Sequence, residues 1–487
     1  MMMAMIAESL AGLVFIPLTA TLLLLLLPRQ AGAAIGIVTV LALPLCLLPL
    51  TQAVWNDNEV TLALAEFAPP LGIVWRLDGL ALIMLWLTAI VAMPVSLHAL
   101  TSFPPVEASG RRFWPLWLML LAGINALFLS ADLFNLYVTL EVITLAGVAM
   151  IGIGGKPLAL TAAMRYLLLG LLASLLYLLA VGLIYGQTGA LDLYLVGERL
   201  QMGHLSATAL VLMITGLLVK SAIFPLHVWL PAAHGNAPGP VSAILSGLVV
   251  KVSLYMLIRI WFWTTGDWEL PAAAIALGLL GAGAILYGSI AALVQSRLKM
   301  VVAYSTVAQL GYVMLLFPLA SVGAFRAATY QLLVHGLAKA AMFLAAANIL
   351  KSLGTDRLHA LTDLDRKLPI DLFAFALAAV SIMGLPPSGG FLAKWLLLEA
   401  AWRQDAWGWM ALVVIGSLLS AAYLFRVIAL TCFHPRRQHG PTRWQKTPAS
   451  ASLAAVVLAL LAIAAGFASA PILGLIDGGL PTGGIWP

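Results

Sequence analysis

Hydrophobic residues run along this chain in long unbroken blocks, and polar residues collect in the short stretches between them. A helix needs about 20 apolar residues to cross a bilayer, and block after block reaches that length. Read in this way the chain predicts fourteen spans, at roughly 9–27, 31–54, 78–100, 113–130, 132–153, 157–185, 205–230, 239–263, 271–293, 299–320, 325–350, 369–401, 407–432 and 450–470. The stretch 55–77 obeys another rule. Its segment EVTLALAEFAPPLGIVWR alternates and has Pro-Pro at its centre, which predicts an extramembrane hairpin. The predicted class is an all-α polytopic membrane protein; long uniform runs exclude a β-barrel.

Two of the predicted spans are interrupted. Pro225 removes a helical hydrogen bond five residues after Lys220 in span 7, and Pro386, Pro387, Gly389 and Gly390 prevent a regular helix in span 12. Broken backbone at membrane depth is tolerated only where it is buried in protein or lines a wet cavity. Spans 4–8 and 9–13 form two sets of five, and an odd number inverts the second set relative to the first. Interruptions in matching positions of two such repeats point to a transport site. The predicted organisation is one membrane domain over residues 1–487. It comprises N-terminal spans with the hairpin (1–112), a first repeat (113–263), a second repeat (271–432), and a last span with its tail (450–487).

Composition agrees with this pattern: 63% of the 487 residues are hydrophobic and only 9% are charged. The net charge of +6 does not suggest nucleic acid, because the basic residues sit in short loops. Cys46 and Cys432 lie in separate apolar runs and support neither a disulfide framework nor a metal or iron–sulfur site. The start, Met1 to Pro28, is expected to be an uncleaved first span. Its apolar run is long, Glu8 precedes it, and no A-x-A-like site closes it.

Charges left inside the spans carry the chemistry. An ionised lysine at mid-membrane costs about 3 kcal/mol or more, yet Lys220, Lys251, Lys339 and Lys394 all fall within spans, as does Glu141. His335 stands four residues before Lys339, on the same helical face. His227 and His234 lie between Lys220 and Lys251. Ordinary alternatives exist for each residue taken singly. Lys251 and Lys394 could snorkel to the interface; Glu141, Lys220 and Lys339 could form static ion pairs; His227 and His234 could be hydrogen-bonded core residues. As a set they form a row of protonatable stations. Burial weakens a lysine's hold on its proton and a nearby carboxylate restores it, while imidazole exchanges protons near neutrality. A metal site is a poor alternative, since lysines outnumber the possible ligands. The half-helix beginning at Gly389–Gly390 is expected to direct its positive end toward Lys394.

These residues, with the segments VKSAIFPLHVWLPAAH, PGPVSAILSGLVVKVSLY, YSTVAQLGY, HGLAKAAMF and GLPPSGGFLAKW, give the chain from about Pro69 to Phe433 a resemblance to a known family. It resembles the antiporter-like membrane subunits shared by respiratory complex I, Mrp-type sodium/proton antiporters and membrane-bound hydrogenases. The resemblance implies a fourteen-helix fold with two inverted five-helix repeats. It also implies central proton-path roles for Glu141, Lys220, Lys251 and Lys394, with His335 and Lys339 between the half-channels. Lysine at 394, where one family variant has glutamate, and a chain ending soon after span 14 favour an Mrp D-like subunit; M- or N-type complex I subunits come next. Ala232 stands where the family usually has an aspartate. The implied partners are other membrane subunits of one complex and the lipid bilayer, with protons as cargo and sodium as the second candidate. No cofactor and no redox site are expected within this chain in either setting, so an antiporter module and the pumping subunit of an oxidoreductase both stand.

Basic residues set the expected orientation. Loops after odd-numbered spans hold fourteen Lys and Arg residues against three after even-numbered spans. The basic side is therefore expected to face the cytoplasm of a bacterial or archaeal cell, with both termini outside. A cysteine placed at Gly484 should react with a membrane-impermeant thiol reagent in cells whose outer barrier is permeable; labelling only after lysis would reverse the topology.

Overall fold

The computed structural model describes residues 2–28, 30–57, 59–70, 72–104, 107–265, 268, 270–432 and 444–480. Of the residues used above for orientation, Arg29, Arg436, Arg437, Arg443 and Gly484 lie outside the described residues. Among the described residues, twelve helices are long and apolar enough to cross a membrane. They are Ala4–Leu26, Ala31–Asn56, Gly79–Ser102, Ala108–Leu129, Leu133–Gly154, Pro157–Thr188, Gly239–Thr264, Pro271–Val294, Leu298–Leu319, Val322–Leu353, Trp407–Cys432 and Ala449–Phe467. These are spans 1–6, 8–11, 13 and 14. Spans 7 and 12 are each two half-helices, His204–Lys220 with Trp229–Asn236, and Pro369–Met383 with Gly389–Trp402. Both interruptions contain a cis X–Pro peptide, Phe224–Pro225 and Pro386–Pro387.

Most of these helices are apolar all round, because lipid on one side and protein on the other both reject polar groups. Burial therefore decides position. Span 8 is buried along its whole apolar window and span 11 along 94% of it, against 33% for spans 1 and 2, so spans 8 and 11 form the axis. They cross at a pair of glycines. A Cβ on Gly336 would fall 2.9 Å from the Gly247 carbonyl oxygen and one on Gly247 3.3 Å from the Gly336 carbonyl oxygen, so the two glycines let the helix backbones approach closely. At this crossing span 8 opens into one π-helical turn, Leu245–Val249.

Residues 59–78 form an antiparallel hairpin, β1 (Glu59–Ala63) against β2 (Val74–Asp78), with Arg76 paired to Glu59 at 3.1 Å. Its last residue, Asp78, does two things. It caps span 3 by accepting from the Ala81 N–H, and it takes both guanidinium nitrogens of Arg259 from span 8. The Arg259 guanidinium also lies over the Tyr255 and Trp263 rings. A bidentate arginine–carboxylate pair with both partners buried clamps the end of the hairpin and the start of span 3 onto the axial helix.

Removing one partner of a buried pair leaves the other uncompensated and costs about 3–5 kcal/mol. Asp78→Ala and Arg259→Leu should each lower the thermal unfolding temperature of the detergent-solubilised protein by several degrees, and the double variant should regain part of the loss. Single variants as stable as the parent would refute the clamp.

Candidate functional site

At span 7 the helix ends at Lys220, and Ala222 takes a positive φ of 53° as the chain turns toward Pro225. Beside the break the Val219 carbonyl accepts from the Ala222 N–H at 3.1 Å and from the Trp229 indole at 2.8 Å. Lys220 thereby projects from a helix end into the space between spans 5 and 6. Its ammonium is 2.9 Å from Glu141 Oε1 and donates to Thr144 Oγ1 at 2.7 Å. Ser174 of span 6 donates to the same carboxylate oxygen. The lysine side chain is 3% exposed and the carboxylate 17%, so Glu141 is the partner that can reach the surface.

The next lysine is held differently. Lys251 is fully buried, and its ammonium donates to the Ser246 carbonyl five residues back, across the π-turn. In an α-helix the carbonyl at that offset accepts the N–H of the preceding residue; in the widened turn the Val250 N–H goes to Leu245 instead and leaves the Ser246 carbonyl available. The Ser246 hydroxyl bonds Thr306 Oγ1 of span 10 at 2.9 Å and so ties the two repeats together. His335 lies within electrostatic range of both Lys251 and Lys339. Its Nε2 has no hydrogen-bond partner among the described residues. Lys339, also fully buried, donates to Ser305 Oγ at 2.6 Å and to the Val302 carbonyl at 3.2 Å.

From Ser305 a row of polar side chains continues. Ser305 bonds the Tyr423 hydroxyl at 2.7 Å, Tyr423 reaches Ser420, and Gln309 donates to Ser420 at 3.2 Å and accepts from Gln331 at 3.0 Å. One turn beyond Gln309, the Tyr312 ring lies 4.9 Å from the Lys394 ammonium. Lys394 itself donates to the carbonyls of Ile382 and Met383 at 3.0 and 3.1 Å. This corrects the expectation that the positive end of the following half-helix governs Lys394. Helical side chains lean toward the N-terminus, so the ammonium reaches back across the break to the negative end of the preceding half-helix. Gly384 makes room: at φ 80° it closes that half-helix, and a Cβ there would lie 2.7 Å from Lys394 Cδ.

The two histidines of the first break part company. His227 sits in an aromatic setting of Phe224, Tyr287 and Tyr304, away from the lysines. His234 is fully buried, stacks on Phe343 of span 11 with ring centroids 4.7 Å apart, and has no hydrogen-bond partner for either nitrogen among the described residues. Phe343 is one turn from Lys339 on the same face.

Sequence pattern alone does not single out Thr144, Ser174, Ser246, Ser305, Gln309, Tyr312 or Tyr423 as part of this row. For Ser305, Gln309 and Tyr312 a signal exists, since their i, i+4, i+7 spacing puts them on one face of span 10. Lys299, which falls with the loop residues by sequence, also belongs to the buried set. It is 1% exposed and donates to the Ala237 carbonyl at the end of the Trp229–Asn236 half-helix at 2.6 Å. Among the described residues, no group of three or more His, Cys, Asp or Glu is placed to hold a metal ion.

Comparison with known proteins gives the family of the chain. Residues 130–420 match the family model described as NADH:quinone oxidoreductase/Mrp antiporter, TM. The chain is 38% identical over 367 residues to the N subunit of NADH-quinone oxidoreductase of Desulforudis audaxviator, covering 74% of this chain and 73% of that one. It is 27% identical to the D subunit of the Na(+)/H(+) antiporter of Bacillus subtilis, over 96% and 94% of the two chains. A chain in the Mrp complex from Dietzia sp. DQ12-45-1b superimposes with a TM-score of 0.88 at 24% identity, covering 97% of this chain and 96% of that one, and so shares its fold. The matched region contains the lysine row, both broken helices and the glycine crossing, and the chain belongs to the NADH:quinone oxidoreductase/Mrp antiporter transmembrane family.

Proposed function

We propose that this chain carries protons across the membrane along the row Glu141, Lys220, Lys251, His335, Lys339 and Lys394, as one subunit of a multi-subunit membrane complex. The observation that carries the reading is an asymmetry of charge. Lys220 has a carboxylate at 2.9 Å, whereas among the described residues Lys251, Lys339 and Lys394 meet carbonyls, a hydroxyl and the Tyr312 ring and no carboxylate within ion-pair distance. Neutral acceptors bind an ammonium without cancelling its charge, and like charges in a low-dielectric interior repel. A proton placed on one lysine of the row therefore favours release from the next.

Glu141 controls the first station. Closed on Lys220, it stabilises the ammonium; turned toward the surface, it leaves a buried charge that is relieved by passing the proton on. Moving one proton against 100 mV costs about 2.3 kcal/mol, which corresponds to nearly two pKa units. Gaining or losing a carboxylate partner shifts a buried amine by that order. The basic loops are taken as the cytoplasmic side, which makes Lys394 the station nearest release to the outside. His227 and His234 serve the uptake side in this reading.

Glu141→Ala and Lys220→Ala should each abolish proton movement in inverted membrane vesicles at equal expression, without loss of membrane insertion. Lys394→Arg keeps a charge and its donors but cannot release a proton, so it should be inactive as well. Near-parental rates in either of the first two would sink the proposal. A fully active arginine variant would make Lys394 a fixed structural charge.

Two parent complexes fit. Coverage along almost the whole chain favours a monovalent cation/proton antiporter with this chain as its D-like subunit. The higher identity to an N subunit favours a proton-pumping NADH–quinone oxidoreductase. Affinity purification from native membranes separates them. An antiporter yields small hydrophobic subunits alone; recovery of flavin and iron–sulfur subunits would transfer the proposal to the oxidoreductase.

A further inference from the structure

Three spans bring a second buried ionisable cluster together at the basic-loop end of the axis. His98 of span 3, Asn348 of span 11 and Asp371 of span 12 are each no more than 2% exposed. His98 Nε2 bonds Asn348 Oδ1 at 2.8 Å, and Asn348 Nδ2 donates to Asp371 Oδ1 at 2.8 Å. With the amide in this orientation the imidazole proton is on Nε2, and Nδ1 is left to accept from Ser102 at 3.2 Å. Thr447, from the segment leading into span 14, donates to the other carboxylate oxygen at 3.0 Å and bonds Ser352 at 3.0 Å. No cation stands within ion-pair distance of Asp371 among the described residues; Lys351, at the exposed rim, acts electrostatically on His98 and donates to the Thr101 carbonyl.

The cluster is continuous with the lysine row. Along span 11 His335, Lys339, Phe343 and Ala347 each stand four residues from the last, so the series winds slowly round the helix to Asn348 and the exposed Lys351. His234 stacks on Phe343, one turn from Ala347, and a Cβ on Gly239, just past His234, would touch both Ala347 and the His98 ring. The fully buried His234, with neither nitrogen hydrogen-bonded among the described residues, thus sits between His98 and Lys339. Burying an imidazole in that condition is costly unless another group exchanges protons or hydrogen bonds with it.

We propose that His98, Asn348 and Asp371 form the proton-collecting site that feeds His234 and then Lys339, an inference that rests on the proton-carrying reading above. A proton from the aqueous side adds to His98 Nδ1 in place of the Ser102 contact. Asp371 stabilises the resulting imidazolium through the Asn348 amide, which accepts from one partner and donates to the other. Passing that proton to His234 returns His98 to its neutral form. Asn348 is a positioning residue and transfers no proton itself.

The test uses the purified complex in proteoliposomes, with proton translocation rate measured against pH on the basic-loop side. His98→Gln retains an N–H donor for Asn348 but cannot carry a proton; it should slow translocation by at least about tenfold and move the pH dependence to more acid values. Asp371→Asn should do the same, and Asp371→Glu should restore most of the rate. Glu141→Ala serves as the control for the underlying reading. A parental rate and pH profile in His98→Gln, while Glu141→Ala is inactive, would overturn the collecting site and leave the lysine row intact. Activity in Glu141→Ala would overturn the row itself. Should Asp371→Asn fail to assemble, His98→Gln decides the matter alone, since a purely structural role would leave its pH profile unmoved.

Discussion

Much at the centre of this protein depends on one constraint: an ammonium group in an apolar interior must find acceptors, and a regular helix has few to give. Its backbone carbonyls are already committed to N–H groups one turn on. The chain meets the constraint by opening the ladder where a lysine needs it. Lys394 rests on carbonyls freed at the span 12 break, Lys251 on a carbonyl exposed by the π-turn, and Lys299 on the carbonyl closing the second half of span 7. Helix irregularity and buried charge are two aspects of the same arrangement.

The acceptors differ in what they do to the proton. A carboxylate neutralises an ammonium; a carbonyl or hydroxyl only solvates it. Placing the one carboxylate at Lys220 and neutral acceptors along the rest makes the row asymmetric, with a gated end and a series of stations whose charges oppose each other. Glu141 is also the least buried member, so the gate lies where a neighbouring chain or a local rearrangement can act on it. By contrast the Asp78–Arg259 pair has two complementary charges fully joined and buried, and its job is mechanical.

The glycine crossing of spans 8 and 11 supplies the remaining condition. It brings the π-turn that holds Lys251 against the turn of span 11 that carries His335, so the two repeats meet at the point where a proton must pass between them. A larger residue at Gly247 or Gly336 would separate stations on different helices, although it touches none of them.

The number and approximate bounds of the spans, the two broken helices and most of the buried ionisable residues were legible in the sequence. Twenty-residue apolar runs and prolines within them have few other physical meanings, and a lysine inside such a run declares itself by its cost. What the sequence could not decide was partnership. Helices that are apolar on every face do not announce which side turns inward, so nothing local assigned Thr144 to Lys220, Ser305 to Lys339, or the backward reach of Lys394 to the opposite half-helix. The π-turn depends on a carbonyl five residues away and on the crossing with span 11, and it leaves no mark in the order of residues. His98, Asn348 and Asp371 come from three distant segments, and read singly each is an unremarked polar residue near a helix end. Only the packing of spans 3, 11 and 12 makes them one site, because contacts between helices are set by shape and burial rather than by the local pattern of the chain.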